Sequence, residues 1–215
     1  MIVAWLLLAP IGTFVARYGR GDNQTGRWFK IHRAFQSLAV VFTIIGLIVI
    51  TTRDSKHMHG NEKTHKNLGI SVIALAVLQV IMGLMRGWIS QQPAEQAPGP
   101  GMKKDLGPRR WLFTRLHRFI GVATLVLAFA AMMIAVGFYD AGDNDYWFPD
   151  SAKIVLWVYF AGTIMLIIGL ELYTRNYEGS EGLHKIYFHA TMCYTLFVII
   201  LSVIMLVYAT NITTD

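Results

Sequence analysis

Seven histidines are spread through the chain: His32, His57, His59, His65, His117, His184 and His189. Imidazole titrates near neutral pH and is the commonest side-chain ligand for transition metals. Four of these residues stand at or just inside the start of an apolar stretch. His32 precedes residues 35–50, His65 precedes 67–85, His117 precedes 119–139, and His189 lies inside 186–208. An ionisable group in such a place is expensive and reads as functional by default. A single interfacial imidazole is ordinarily an amphipathic anchor. Three successive stretches that each open on one form a pattern. His32 and His117 open alternate stretches, so they fall at one depth and can face each other across a bundle. Two facing imidazoles are the axial set of a six-coordinate haem iron, and helix bundles build cofactor sites from facing side chains. Zinc would ask for four N, S or O ligands, and neither Cys nor carboxylate accompanies these histidines in the apolar stretches.

The elements that must hold the histidines are membrane helices. The chain is 54% hydrophobic and 15% charged, with a mean hydropathy of +0.46; soluble domains carry about a quarter charged residues. Its apolar blocks of about 17–21 residues are long enough to cross the hydrocarbon core. Helix is the single-segment structure that satisfies its own backbone there. The expected fold is all-α: a polytopic bundle of six spans, at Met1–Arg17 (short), Phe35–Ile50, Asn67–Met85, Phe119–Tyr139, Lys153–Tyr173 and Ile186–Tyr208. The one cysteine, Cys193, can form no internal disulfide.

The net charge of +6 does not point to nucleic acid, because the bases divide by loop. The first loop holds Arg17, Arg20, Arg27, Lys30 and Arg33. The third, which contains the Pro/Gly-rich stretch "QQPAEQAPGPGMKKDLGP", holds Lys103, Lys104, Arg109, Arg110, Arg115 and Arg118. The fourth, "YDAGDNDYWFPD", holds aspartates and no base. Lys and Arg gather on the cytoplasmic side. Loops one and three are therefore expected inside, loop four outside, and both termini outside. His32 and His117 then lie on the inner side and His65 on the outer. Tryptophans and tyrosines near the span ends suit interface anchors.

In order and spacing, "AWLLLAPIGTFVARY", "WFKIHRAFQ", "HKNLGISVIALAVLQ" and "RLHRFIGV" resemble the cytochrome b561 family, particularly the form associated with DOMON domains and ferric-chelate reductases. The resemblance covers about residues 1–140. It implies a four-helix core holding two b-type haems through four histidines. Carried over by motif, His32 and His117 are the inner pair and His65 is one outer ligand. The family's first ligand falls about one turn before Met1. One haem b is thus expected to be held firmly. The second depends on whether the chain is a fragment or the outer site is lost or differently ligated. His57 and His59 lie on the expected outer side and offer a substitute for the missing outer ligand; "HMH" at 57–59 is also a candidate metal-capturing pair, with His59 as the candidate ligand.

The expected division is a b561-like core over residues 1–139 with two further spans over 140–215. The resemblance implies transmembrane electron transfer from a cytoplasmic, ascorbate-like reductant to an outer acceptor: a ferric chelate, monodehydroascorbate or a DOMON haem domain. Arg27, Lys30, Arg33 and Arg115 form a donor-side basic patch that can also neutralise haem propionates. Lipid, a small-molecule donor and acceptor, and a DOMON or other redox domain are the expected partners, with a homodimer also open. Two rivals stand beside this reading: a quinol-oxidising respiratory cytochrome, and a non-redox anchor whose haem sites have decayed. Gln36 and Gln79 are expected to hydrogen-bond across the bundle. Glu171 reads as an interface residue at the inner end of span five.

Overall fold

A computed structural model describes residues 1–19, 26–51, 60–89, 108–138, 150–176 and 183–211, all helical apart from single residues at their edges. A π-helical segment, Val3–Leu8, runs directly into α1 (Ala9–Tyr18). Then follow α2 (Arg27–Thr51), α3 (Gly60–Ile89), α4 (Pro108–Phe138), α5 (Asp150–Asn176) and α6 (Leu183–Asn211). Five of these helices are long and apolar enough to cross a membrane, and Val3–Tyr18 is a shorter apolar helix. No strand occurs among the described residues.

The helices start further out than hydropathy marks them. Arg27, Gly60 and Pro108 open α2, α3 and α4, well before the apolar stretches begin. Hydropathy reports the part of a helix that lipid must solvate, whereas backbone hydrogen bonding continues through the interface. His32, His65 and His117 are consequently held inside regular helix, with neighbours one turn away on either side. The π-helical turns have a local cause. Pro10 donates no backbone N–H, and its ring crowds the carbonyl four residues earlier. The turns before it widen, and the Ala9 N–H bonds the Ala4 carbonyl, one residue further back than in an α-helix.

Two apolar clusters organise the bundle. The first joins the π-helical segment and α1 to α2, α3 and α4, and its buried members are Ala4, Trp5, Ala9, Ala39, Val72, Ala76 and Ala128. Apart from Trp5 these are small, and small residues let helices approach closely in lipid. The second joins α1, α5 and α6 and is built from large side chains, among them Phe14, Tyr18, Leu156, Tyr194 and Met205. Phe14 stacks on Tyr194 with ring centres 4.3 Å apart. The apolar side chains left exposed, such as Ile45, Ile154, Met165 and Leu196, cover the faces that lipid would solvate.

Contacts between helices fix the antiparallel order. The start of α2 meets the end of α1, the start of α4 and the end of α3 at one end of the bundle. The start of α3 meets the later part of α4 towards the other. Arg17 forks onto Glu171 (Nε to Oε1 and Nη2 to Oε2, both 2.7 Å), and the Tyr18 hydroxyl donates to the same carboxylate at 3.1 Å. Glu171 thus anchors α5 to α1. The sequence suggested an interface residue here; the structure gives it a specific cation as partner.

Candidate functional site

At the end where α2 and α4 begin, α1, α2, α3 and α4 enclose a cavity of about 500 Å3. Small-molecule and cofactor sites commonly run from about 300 to 1,000 Å3. His32 from α2 and His117 from α4 line it together. Their ring centres are 6.4 Å apart and the rings are nearly perpendicular, at 85°. A metal bound to two imidazoles at about 2 Å from each nitrogen would space the ring centres by about 6 Å. The pair therefore fits a single iron between them.

The geometry of His32 is set by α1. Its Nδ1 lies 2.9 Å from the Gly12 carbonyl oxygen. A carbonyl can only accept, so Nδ1 carries the proton and Nε2 keeps its lone pair for a metal. The contact needs α1 and α2 to touch. A Cβ on Gly12 would stand 2.9 Å from Gln36 Nε2 and 3.0 Å from Phe35 Cβ, so glycine is required by the close approach. Gln36, one turn beyond His32, donates to the Ala9 carbonyl at 2.9 Å and to the Thr13 hydroxyl at 3.2 Å. Gln79 on α3 donates to the His117 carbonyl at 2.9 Å. Both glutamines bridge neighbouring helices, as the sequence suggests. Phe113 lies stacked on the His117 ring, 5.7 Å between centres and 7° from parallel.

The cavity leaves room for a bulky group. Gly83 and Gly121 line it. Above Gly83 nothing lies within 4 Å of where a Cβ would be, so a side chain there would fill space that is now open. Trp28, Phe29 and Leu125 supply apolar walls, while Arg33 and Arg118 bring charge. Of the basic patch read from the sequence, Arg33 lines the cavity. Arg27, Lys30 and Arg115 are exposed at the same end without lining it. Arg118 was missed. Its place directly after His117 was the available signal, since a residue flanking a ligand shares its depth.

His65 lies towards the other end of the core. Its Nδ1 is 2.9 Å from the Ala131 carbonyl of α4, so the imidazole is presented by the same device as His32. The cavity before it is only about 50 Å3, and Met1, Trp5, Thr43 and Gly69 are among its walls. Among the described residues, no second histidine lines it. His57 and His59 lie outside the described residues. His189 is exposed on α6, where its Nδ1 donates to the Lys185 carbonyl at 2.6 Å; it lines neither cavity. Trp5, which the sequence suggested only as an interface anchor, lines both.

Residues 1–141 match the family model described as eukaryotic cytochrome b561. Among similar curated proteins, ferric-chelate reductase 1 of Homo sapiens is 27% identical over 154 residues, which is 68% of this chain and 23% of that protein. A cytochrome b561 and DOMON domain-containing protein of Arabidopsis thaliana is 25% identical over 180 residues, 84% of this chain and 39% of that protein. A putative ferric-chelate reductase 1 of Danio rerio is 25% identical over 153 residues, 68% of this chain and 23% of that protein. The chain thus spans between 23% and 39% of the length of these relatives. No solved structure matches.

Proposed function

The chain belongs to the cytochrome b561 family, and on that premise we propose that it carries electrons across a membrane through a b-type haem held between His32 and His117. The observation that carries the reading is the pair of imidazoles with ring centres 6.4 Å apart on a cavity of about 500 Å3. Bound there, the haem would supply a reversible one-electron store. The rest is done by the chain. His32 and His117 would together hold the iron, which would leave donor and acceptor to exchange electrons without binding it. The Gly12 carbonyl holds the His32 proton on Nδ1 and raises the basicity of Nε2. Gln79 ties the backbone of His117 to α3. Arg33 and Arg118 offset negative charge at the mouth, whether on haem carboxylates or on an approaching anionic donor.

The donor fits a soluble, ascorbate-like anion, because the mouth of this cavity carries the basic residues. Lys and Arg favour the cytoplasmic side, which puts His32 and His117 inside and both termini outside. Acceptors fitting the names of the relatives are a ferric chelate or a DOMON domain, with monodehydroascorbate as a third, all on the His65 side. His65 is then the exit-side ligand. Whether it holds a second haem depends on a partner ligand that the described residues do not supply.

The test of the inner site is spectral. His32→Ala and His117→Ala should each abolish the same low-spin signal in reduced-minus-oxidised spectra; a variant that keeps the full signal overturns the pairing. Orientation is tested separately. A cysteine placed at Asp143 should react with an impermeant reagent on intact cells and one at Lys104 should not; the reverse pattern inverts donor and acceptor sides.

A further inference from the structure

The buried cluster bordering the two cavities is aliphatic apart from one residue: Ala4, Ala9, Ala39, Val72, Ala76 and Ala128 form it, with leucines and Met132 packed on it. Trp5 interrupts them. It is 8% exposed, and among the described residues it is the one side chain that lines both the His32/His117 cavity and the His65 cavity. It sits in the π-helical segment Val3–Leu8. Such segments are uncommon and cluster at functional positions, because the wider turn re-aims a side chain. Here the wide turns, relieved just before Pro10, place the indole as the partition of the core.

From this the geometry points to a specific role: Trp5 is the medium through which an electron passes from the His32/His117 site to the His65 side. The inference rests on the electron-transfer reading above. Tunnelling weakens steeply with distance and is worst across gaps. A packed indole that lines both cavities offers one aromatic group in place of several separate aliphatic contacts. The step is one electron. Iron(II) at the His32/His117 site becomes iron(III), and a one-electron oxidant of the ferric class on the His65 side is reduced by one. No bond forms or breaks, and Trp5 is neither oxidised nor reduced. Trp5 is thus a positioning residue for electron flow, and it holds no ligand.

The experiment uses the full chain with its haem in sealed vesicles of each orientation. Haem absorbance is followed after reduction, with ferricyanide as the impermeant oxidant. In wild type, reoxidation should occur from both faces. Trp5→Leu should keep the iron low-spin, and the ratio of its reoxidation rate from the His65 face to that from the basic face should fall severalfold. Trp5→Phe should stay close to wild type. Trp5→Met, which replaces volume without an aromatic ring, should behave as Trp5→Leu and serves if the leucine variant does not fold. An unchanged ratio in either aliphatic variant overturns the inference. If wild type is not reoxidised from the His65 face at all, the transmembrane reading fails and takes this inference with it. A second readout needs no electron flow. Trp5→Leu should alter the circular dichroism induced in the haem Soret band, and Trp157→Leu, exposed on α5, should not. An unchanged Soret dichroism in Trp5→Leu also overturns the inference.

Discussion

The two ends of the bundle formed by α1 to α4 present histidine in the same way and differ in the space they leave open. His32 and His65 each place Nδ1 2.9 Å from a carbonyl on a neighbouring helix, Gly12 in one case and Ala131 in the other. At the His32 end a second imidazole faces the first across about 500 Å3; at the His65 end about 50 Å3 is open, and no second imidazole comes from the described residues. Presenting a ligand is thus a local matter of one side chain and one carbonyl. Capacity is collective. It needs a facing helix with its own ligand, glycines that leave room, and arginines at the mouth.

The comparison breaks most visibly if the two ends prove equal. His32→Ala or His117→Ala should cost the whole low-spin haem signal, while His65→Ala should leave it in place. Purified chain that holds two haems tightly, one lost with each end's histidine, would erase the distinction drawn here; haem counted per chain decides it.

A step smaller is the packing that positions His32. Gly12→Val would push α1 from α2, since even a Cβ meets Gln36 at 2.9 Å. Overpacking of this kind costs roughly 1–3 kcal/mol, read as a lower melting temperature and faster haem loss. Gly69→Ala at the His65 end meets nothing within 4 Å and should be silent in both measurements. Equal effects from the two substitutions would show that the His32 end has no special dependence on close packing.

Removing Gln79 sharpens the contrast further. Gln79→Leu deletes one hydrogen bond to the His117 carbonyl, worth about 1 kcal/mol or less in a membrane protein. Haem titration should detect a modest loss of affinity at the His32/His117 site. The smallest effect belongs outside the core. Arg17 is half exposed and Glu171 a third exposed in their pair, and such pairs contribute about 0–1 kcal/mol. Arg17→Ala should lower thermal stability slightly and leave the haem spectrum untouched. Haem loss in that variant would mean that α5 and α6 help hold the site.

Much of this was legible before any coordinates. Stretches such as 67–85 and 119–139 admit no solution but helix, because lipid offers no partner for an unpaired backbone group. Alternation of helix direction then put His32 and His117 at one end and His65 at the other, and the motifs around them carried the family resemblance. The two glutamines were legible as cross-bundle donors, because buried amides must find acceptors. Arg118 was not distinguished from the other bases of its loop, since charge alone does not say which arginine turns towards a cavity.

The sequence by itself determined the helices, their order and the end of the bundle at which His32, His65 and His117 stand, because these follow from local hydropathy and from chain direction. Only the tertiary structure decided that the imidazoles of His32 and His117 stand 6.4 Å apart, that Gly12 and Ala131 supply the carbonyls, and that the two cavities differ tenfold in volume, about 500 against about 50 Å3. Those are properties of helix rotation and approach. They depend on which small residues happen to face each other across several helices, and no single stretch of sequence contains that relation. Trp5 is the clearest case: a tryptophan near a span end reads as an interface anchor, and packing alone brings it to line both cavities.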